Sequence, residues 1–240
     1  MRFTFDSIGT IHSCFKEKFG IPRQPGLAPA SRASLELLPP YNQKEALVGL
    51  EKFSHLWVLF VFHHNLEQSW RPTVRPPRLG GNQRLGVFAT RSGFRPNPIG
   101  LSVVELLGVD SAGPSPLLHL KGGDFVDGTP VIDIKPYIPY ADSLPEAFGG
   151  FADRAPLSTL EVVFSPEAER QLAQRAIPDL KSLICQVIGQ DPRPAYRSGS
   201  DDRCYGVALY DCNVRWCIQD GKALVLSLVQ PDDPEKGTNR

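Results

Sequence analysis

Apolar and polar positions alternate in short stretches along most of this chain, and turn residues interrupt them often. "FTFDSIGTIHS" (3–13) has the two-residue period of a strand. "KEKFGIPRQPGLAPASRAS" (16–34) breaks that period with prolines and predicts a loop. "NQKEALVGLEKF" (42–53) predicts a short helix, with Asn42 as its cap and Ala46, Leu47 and Leu50 on one face. "HLWVLFVFHH" (55–64) is apolar on both faces and reads as a buried central strand. "RLGVFAT" (84–90), "GLSVVELLGVD" (100–110), "SPLLHLKGGDF" (115–125) and "TPVIDIKPYIPY" (129–140) continue the series. Strands at such spacing, joined by Gly/Pro turns, suggest a barrel or a sandwich.

The pattern changes after "GGFADRAP" (149–156). "LSTLEVVF" (157–164) is a strand. "SPEAERQLAQRA" (165–176) is a helix with Ser165 as N-cap, Pro166 in its first turn and Glu167 and Glu169 near the positive end of its dipole. "PDLKSLICQVIGQ" (178–190) is a second helix. "YGVALYDCNVRWCIQDGKALVLSLVQ" (205–230) is a hairpin turning at Asp220-Gly221. The expected organisation is therefore mainly β: a first β domain over 1–156, a small α+β domain over 157–230, and a flexible polar tail over 231–240.

Net charge is zero, so overall balance points to no partner. The local balance does. From Glu67 to Glu105 no acidic residue intervenes, while Arg71, Arg75, Arg78, Arg84, Arg91 and Arg95 all fall there, with no lysine. Arginine is the better donor for planar or bidentate anion recognition, of phosphate or carboxylate, although a solvated basic face has the same composition. The five cysteines show no C-x-x-C spacing, which argues against a disulfide framework or a zinc site and for a reducing, cytoplasmic compartment. The N-terminus lacks the apolar core of a signal peptide, and the longest apolar run, "LWVLFVF" (56–62), is too short to span a membrane.

No P-loop, no G-x-G-x-x-G after a strand, no H-E-x-x-H and no G-x-S-x-G occurs. His63 and His64 are adjacent, so in a strand they point to opposite faces and do not share a metal; no metal is expected. What remains is a set of proline-stiffened polar loops. "IPRQPG" (21–26) offers Arg23 and Gln24 between prolines. "RSGFRPNPIG" (91–100) fixes Arg95 and Asn97 ahead of Pro96 and Pro98, and Asn97 presents a donor and an acceptor. "KGGDFVDGTP" (121–130) and "IDIKPY" (132–137) add Asp124, Asp127 and Asp133, with Lys135 on the same strand face as Asp133. "QDPRPAYR" (190–197) sets Arg193 between prolines, then Tyr196 and Arg197, a combination suited to a stacked base and a phosphate. Each of these loops alone also fits a ligand-free surface turn. Four together point to a site for an anionic or nucleotide ligand, and the residues alone do not name a reaction.

The runs "IPRQPGL", "FSHLWVLFVFH", "RPTVRPPRLGG", "RLGVFATRSGFRPNPIGLS", "DGTPVIDIKPY" and "QDPRPAYR" resemble the TrmO/YaeB family of tRNA methyltransferases, and the resemblance runs from about residue 3 to about residue 230. It implies a barrel-like, non-Rossmann domain that binds S-adenosyl-L-methionine, and homodimers. The implied reaction is methylation of N6 of N6-threonylcarbamoyladenosine at position 37 of a threonine tRNA. It places the cofactor near Arg23, Gln24 and Pro25, His63 and His64, Arg91 and Leu101, and Lys121, Gly122, Gly123 and Asp124. In that setting Arg91 suits the cofactor carboxylate, and Arg95 suits the threonyl carboxylate of the base. Asp133, with Lys135 and Tyr137, is the candidate for taking the N6 proton; a structural ion pair is the other account of Asp133 and Lys135. Arg71, Arg75, Arg78, Arg193, Tyr196 and Arg197 are candidate contacts to the tRNA anticodon stem-loop. A non-catalytic RNA-binding barrel, and a methyltransferase of this fold with another substrate, are the competing readings.

Overall fold

The computed structural model describes residues 1–157, 159–193 and 203–230. Eight strands occupy the first part: β1 Gly9–Ser13, β2 Arg32–Leu37, β3 His55–Val61, β4 Thr73–Val74, β5 Leu85–Gly86, β6 Ile99–Asp110, β7 Leu117–Lys121 and β8 Thr129–Pro136. Six of them close into a barrel in the order β1-β2-β7-β6-β3-β8, and every barrel pairing is antiparallel. Of the barrel and the sandwich, the chain adopts the barrel, which leaves no sheet edge open. Alternation explains how the barrel fills: Leu56, Val58 and Phe60 of β3 and Gly100, Ser102 and Val104 of β6 are buried and face inward. Ile11, Leu35, Leu118, Leu120, Phe125 and Val131 complete that core.

β4 and β5 pair only with each other, as a two-stranded arm between β3 and β6. The short helix α1 (Pro139–Asp142) then leads to the second unit: β9 Val162–Phe164, α2 Pro166–Ala173, α3 Leu180–Gly189, β10 Cys204–Leu209, β11 Cys212–Gln219 and β12 Lys222–Val229. Its sheet runs β10-β11-β12-β9, with β9 parallel to β12 and the other pairs antiparallel. Ser165 caps α2 by accepting from the Ala168 amide, as its position ahead of Pro166 predicts. Asp220 and Gly221 turn β11 into β12.

Several local expectations are corrected. The first strand begins at Gly9 rather than at residue 3, and Phe3 and Phe5 ahead of it are exposed. The stretch 42–53 forms two 3₁₀ turns, Lys44–Leu47 and Leu50–Lys52, because Gly49 between them is left-handed. Asn42 caps nothing there and donates to the Pro114 carbonyl instead. Only Leu85–Gly86 of 84–90 is strand, followed by the turn Val87–Ala89. β3 stops at Val61, so His63 and His64 fall in a 3₁₀ turn and their rings meet edge to face at 4.2 Å instead of diverging. β2 was hidden within the proline-rich loop and its sequel.

The two units share a core. Cys14, Phe15, Ala28 and Ala30, from the connection between β1 and β2, pack among Ile184, Ile188, Val207, Leu209 and Trp216. Phe15 bridges Val126 on one side and Leu209 on the other. Two glutamines of the α3 region grip the same connection: Gln186 Oε1 accepts the Ala30 amide at 2.8 Å, and Gln190 Nε2 donates to the Leu27 carbonyl at 2.8 Å. The residues around "PRQP" are thus held between the barrel and the second domain.

Candidate active site

β7 pairs with β6 only from Glu105 onward. Residues 99–104 of β6 therefore lie beyond the end of β7, and the chain leaving β7, 122–125, runs beside them. Gly123 makes this approach possible: a Cβ there would press on the Phe125 ring at 2.7 Å and lie 3.5 Å from Val104. Gly93 and Gly100 sit against Phe62 and Phe60 in the same way. The three rings form an edge-to-face row, Phe62 to Phe60 and Phe60 to Phe125, each at 5.1 Å. That row is an apolar floor at one mouth of the barrel.

Above it stands Asp124. The inward-facing Ser102 Oγ donates to its Oδ1 at 2.6 Å. Asp124 is surrounded by protein yet keeps part of its surface accessible. Burial raises its carboxyl from 3.8 to about 6; the hydrogen bond from Ser102, its own amide and the Arg91 charge oppose that rise without cancelling it. Arg91 in turn donates to Gln24 Oε1 at 2.7 Å. The segments 21–26, 90–98 and 121–124 therefore converge through side chains.

Backbone bonds hold that convergence. The Gly26 amide donates to the Gly122 carbonyl at 2.8 Å, and the Gly122 amide to the Ser31 carbonyl at 3.0 Å. Buried Ser31 donates through its Oγ to the Gly123 carbonyl at 3.1 Å. Gly26 and Gly122 are both left-handed, at φ 77° and 75°, and open space lies where a Cβ of Gly26 would be. The Phe62 amide, just ahead of the His63–His64 turn, donates to the Pro98 carbonyl at 2.8 Å, and Lys18 Nζ donates to the His64 carbonyl at 3.4 Å and to Asn65 Oδ1 at 3.2 Å. Burial, then the neighbouring His64, lowers the His63 imidazole below its ordinary value.

Of the expected cofactor residues, Gln24, Arg91, Gly122, Gly123 and Asp124 are brought together, with Arg23 and Pro25 flanking Gln24 in the same loop. Lys121 is tied to Glu105 by a 3.0 Å ion pair across the β6–β7 junction. Leu101 turns its side chain outward, away from Ser102, and is 47% exposed. Asp133 and Lys135 share a strand face as their spacing predicts and form a 2.7 Å pair. Asp133 lies across Leu59 from Leu101 on the outer wall, and Tyr137 packs on Trp57 at 5.9 Å.

Asn97 is exposed, and Arg95 is partly buried. Arg95 donates to the Thr90 carbonyl at 2.8 Å and to the Ser92 carbonyl at 3.3 Å. Arg71 covers the Phe94 ring at 4.3 Å, Arg75 is exposed, and Arg78 donates to the Arg154 carbonyl. Arg193 is 6% exposed and grips Asp191 through Nε at 2.7 Å and Nη2 at 2.8 Å. Tyr196 and Arg197 lie outside the described residues. Sequence reasoning did not single out Ser102, Ser31, Gln186 or Gln190; they are ordinary polar residues whose importance comes from what the fold places opposite them. Among the described residues no group of three or more His, Cys, Asp or Glu side chains is arranged to hold a metal. No described helix is long and apolar enough to cross a membrane.

Residues 10–143 match the model of the tRNA-methyltransferase O N-terminal domain, and residues 158–231 match the TrmO C-terminal domain. The chain belongs to the tRNA-methyltransferase O family. It is 54% identical over 229 residues to the tRNA (adenine(37)-N6)-methyltransferase of Escherichia coli, covering 94% of this chain and 97% of that one. A putative S-adenosylmethionine-dependent methyltransferase of Pseudomonas aeruginosa is 54% identical over 219 residues, covering 90% of this chain and 93% of its own. The crystal structure of TrmO from Pseudomonas aeruginosa superposes with a TM-score of 0.79 at 45% identity, over 95% of this chain and 99% of that one. The barrel and its α+β companion are thus the tRNA-methyltransferase O fold, and the Asp124 cluster lies within the matched N-terminal domain.

Proposed function

We propose that this chain transfers a methyl group from S-adenosyl-L-methionine to N6 of the adenine at position 37 of a tRNA. The acceptor base carries N6-threonylcarbamoyl, the tRNA reads threonine codons, and the enzyme grips its anticodon stem-loop. The observation that carries this reading is the Gln24–Arg91–Asp124–Ser102 cluster at the barrel mouth of a tRNA-methyltransferase O domain.

The cluster suits the cofactor chemically. Cationic Arg91 and Arg23 match an amino-acid carboxylate, and anionic Asp124 matches an ammonium or sulfonium. The space open at Gly26 permits close approach of a planar base. When bound, S-adenosyl-L-methionine supplies a methyl group already activated by its sulfonium. The protein's part is then to hold that group and N6 in line and to manage one proton. The N6 nitrogen of the threonylcarbamoyl base is urea-like and a poor nucleophile until its N–H is engaged. Asp124, desolvated and tuned toward neutrality, suits that proton better than Asp133, which is half exposed and already bound by Lys135. Arg95, in the same loop as Arg91, suits the threonyl carboxylate.

Two further elements belong to the reading. Tyr140, Leu144, Phe148 and Leu157, on the connection between the domains, are 91%, 73%, 99% and 83% exposed. So many solvent-facing apolar side chains in one segment support a homodimer in which a second copy covers them. The five cysteines are free thiols, which suits the cytoplasm, where tRNA is modified.

Methyl transfer from labelled S-adenosyl-L-methionine to two matched threonine tRNAs tests the function. One tRNA carries threonylcarbamoyladenosine at position 37 and the other plain adenosine. Label in the modified tRNA alone is the expected result. Equal label in both overturns the base assignment, and label in neither, with cofactor binding intact, overturns the substrate.

A further inference from the structure

Phe88 is 75% exposed, although burial of such a side chain stabilises a fold. Its exposure is not a matter of a loose loop. Val87, immediately before it, is 1% exposed and anchors the turn. The Val87 amide donates to the Pro72 carbonyl at 3.0 Å, and Thr90 bonds back to the Val87 carbonyl through its amide at 3.1 Å and its Oγ1 at 2.9 Å. Arg95 is fixed by the Thr90 and Ser92 carbonyls and sets its guanidinium 5.9 Å from the Phe88 ring centroid. A flat ring is thus held out rigidly, with a cation over one face and the other face free to stack.

The surroundings select the occupant. No acidic residue lies between Glu67 and Glu105, and six arginines do. Trp70, at the base of the β4–β5 arm, is 51% exposed, and the next residue, Arg71, lies over Phe94. An anionic partner with planar faces satisfies both features, as single-stranded nucleic acid does. The same loop reaches the Asp124 cluster: Arg91, three residues beyond Phe88, donates to Gln24 and its charge acts on Asp124. A base methylated at N6 at that cluster has to leave its stack, and the neighbour it leaves loses a face.

We propose that Phe88, with Arg95 over one face, is the stacking site for the unpaired nucleobase next to the adenine that is methylated. The ring takes the place of the withdrawn base, and Arg71 meets a flanking phosphate. The inference rests on the function proposed above and adds a subsite to it.

The test uses the full-length protein and an anticodon stem-loop RNA carrying 2-aminopurine beside position 37. Stacking on Phe88 alters the fluorescence of that base when the wild-type protein binds. Phe88→Ala is expected to abolish the change and to raise KM for the tRNA about tenfold, while Phe88→Tyr restores both. Affinity for S-adenosyl-L-methionine and the melting temperature are expected to stay at wild-type values in both variants. Wild-type fluorescence and KM in Phe88→Ala, with methylation intact, overturn the stacking site and leave the function standing. Dissociation of Phe88→Ala into monomers in sedimentation overturns it in favour of a protein–protein contact. A wild-type protein that neither binds nor methylates the RNA overturns the function and the subsite together.

Discussion

Ser102 donates from inside the barrel wall to Asp124 at the barrel mouth, across 2.6 Å. That bond is one favourable contact on a carboxylate that burial otherwise disfavours, and it ties the fold's stability to the site's chemistry. In the folded chain the carboxyl titrates at about 6 instead of 3.8. As pH rises, the unfolded chain therefore releases this proton first. The group's contribution to stability is fully present below about pH 4, declines between about 4 and 6, and stays lost above that. The loss amounts to at most about 3 kcal/mol, less where solvent reaches the carboxylate. Asp124→Asn keeps an acceptor for Ser102 and has no charge to desolvate. Its melting temperature without cofactor is expected to exceed that of the wild type above pH 6 and to converge with it near pH 4. Its methylation rate is expected to fall at least a hundredfold and to lose the rise through pH 6. Calorimetry and single-turnover rates across pH 4–8 check both.

Gln186 and Gln190 predict a different separation. They lie in the second domain yet bond the backbone at Ala30 and Leu27, beside the "PRQP" loop. Removing either side chain leaves a partly buried backbone group without its partner, at a cost of about 1–3 kcal/mol. Gln186→Ala and Gln190→Ala are expected to weaken binding of S-adenosyl-L-methionine about tenfold, with a smaller change in KM for tRNA. Isothermal titration set beside steady-state kinetics checks this. Equal losses in both parameters would mean that the glutamines support the fold generally.

How much of this was legible in the sequence depended on how local the cause was. β6, β8 and the hairpin at Asp220-Gly221 follow from alternation and turn chemistry, which neighbouring residues decide. β2 did not stand out, because "RASLEL" has a weak pattern and becomes a strand by lying between β1 and β7. The stretch 42–53 has helical spacing, but Gly49 divides it. At the site, the loops with unusual composition were visible, since prolines and arginines announce themselves. Arg193 stood out for the same reason and is nonetheless inward, because only the fold sets Asp191 against it. Ser102 carries no signal of its own; its role exists only once β6 passes beside Asp124.

Gly100 tests the apolar floor beneath the site. A Cβ at this position would overlap the Phe60 ring, which is buried and already packed edge to face against Phe62 and Phe125. Gly100→Ala is expected to destabilise the barrel by about 1–3 kcal/mol, through displacement of Phe60. Adding Phe60→Leu is expected to recover part of that loss, and the double-mutant cycle in urea measures the coupling. Additive effects of the two changes would place the cost of the alanine elsewhere than on the ring.

The arginines divide into two classes that one pair of variants separates. Arg193 is buried against Asp191, so Arg193→Ala leaves a carboxylate with its main partner gone. Removal of one member of a fully buried pair costs about 3–5 kcal/mol, and the cost is smaller here because Asp191 keeps part of its surface in solvent. Arg193→Ala is therefore expected to lower the melting temperature, and whatever it does to tRNA binding follows from that. Arg75 is exposed on the basic arm, where a phosphate contact adds affinity without supporting the fold. Arg75→Ala is expected to melt with the wild type, to bind tRNA more weakly, and to reduce the slope of log K against log salt by about one. Binding titrations between 50 and 200 mM salt, roughly the range in which phosphate contacts dominate, measure that slope. An unchanged slope would move Arg75 off the RNA path and leave Arg71 and Arg78 to carry the phosphate contacts of the arm.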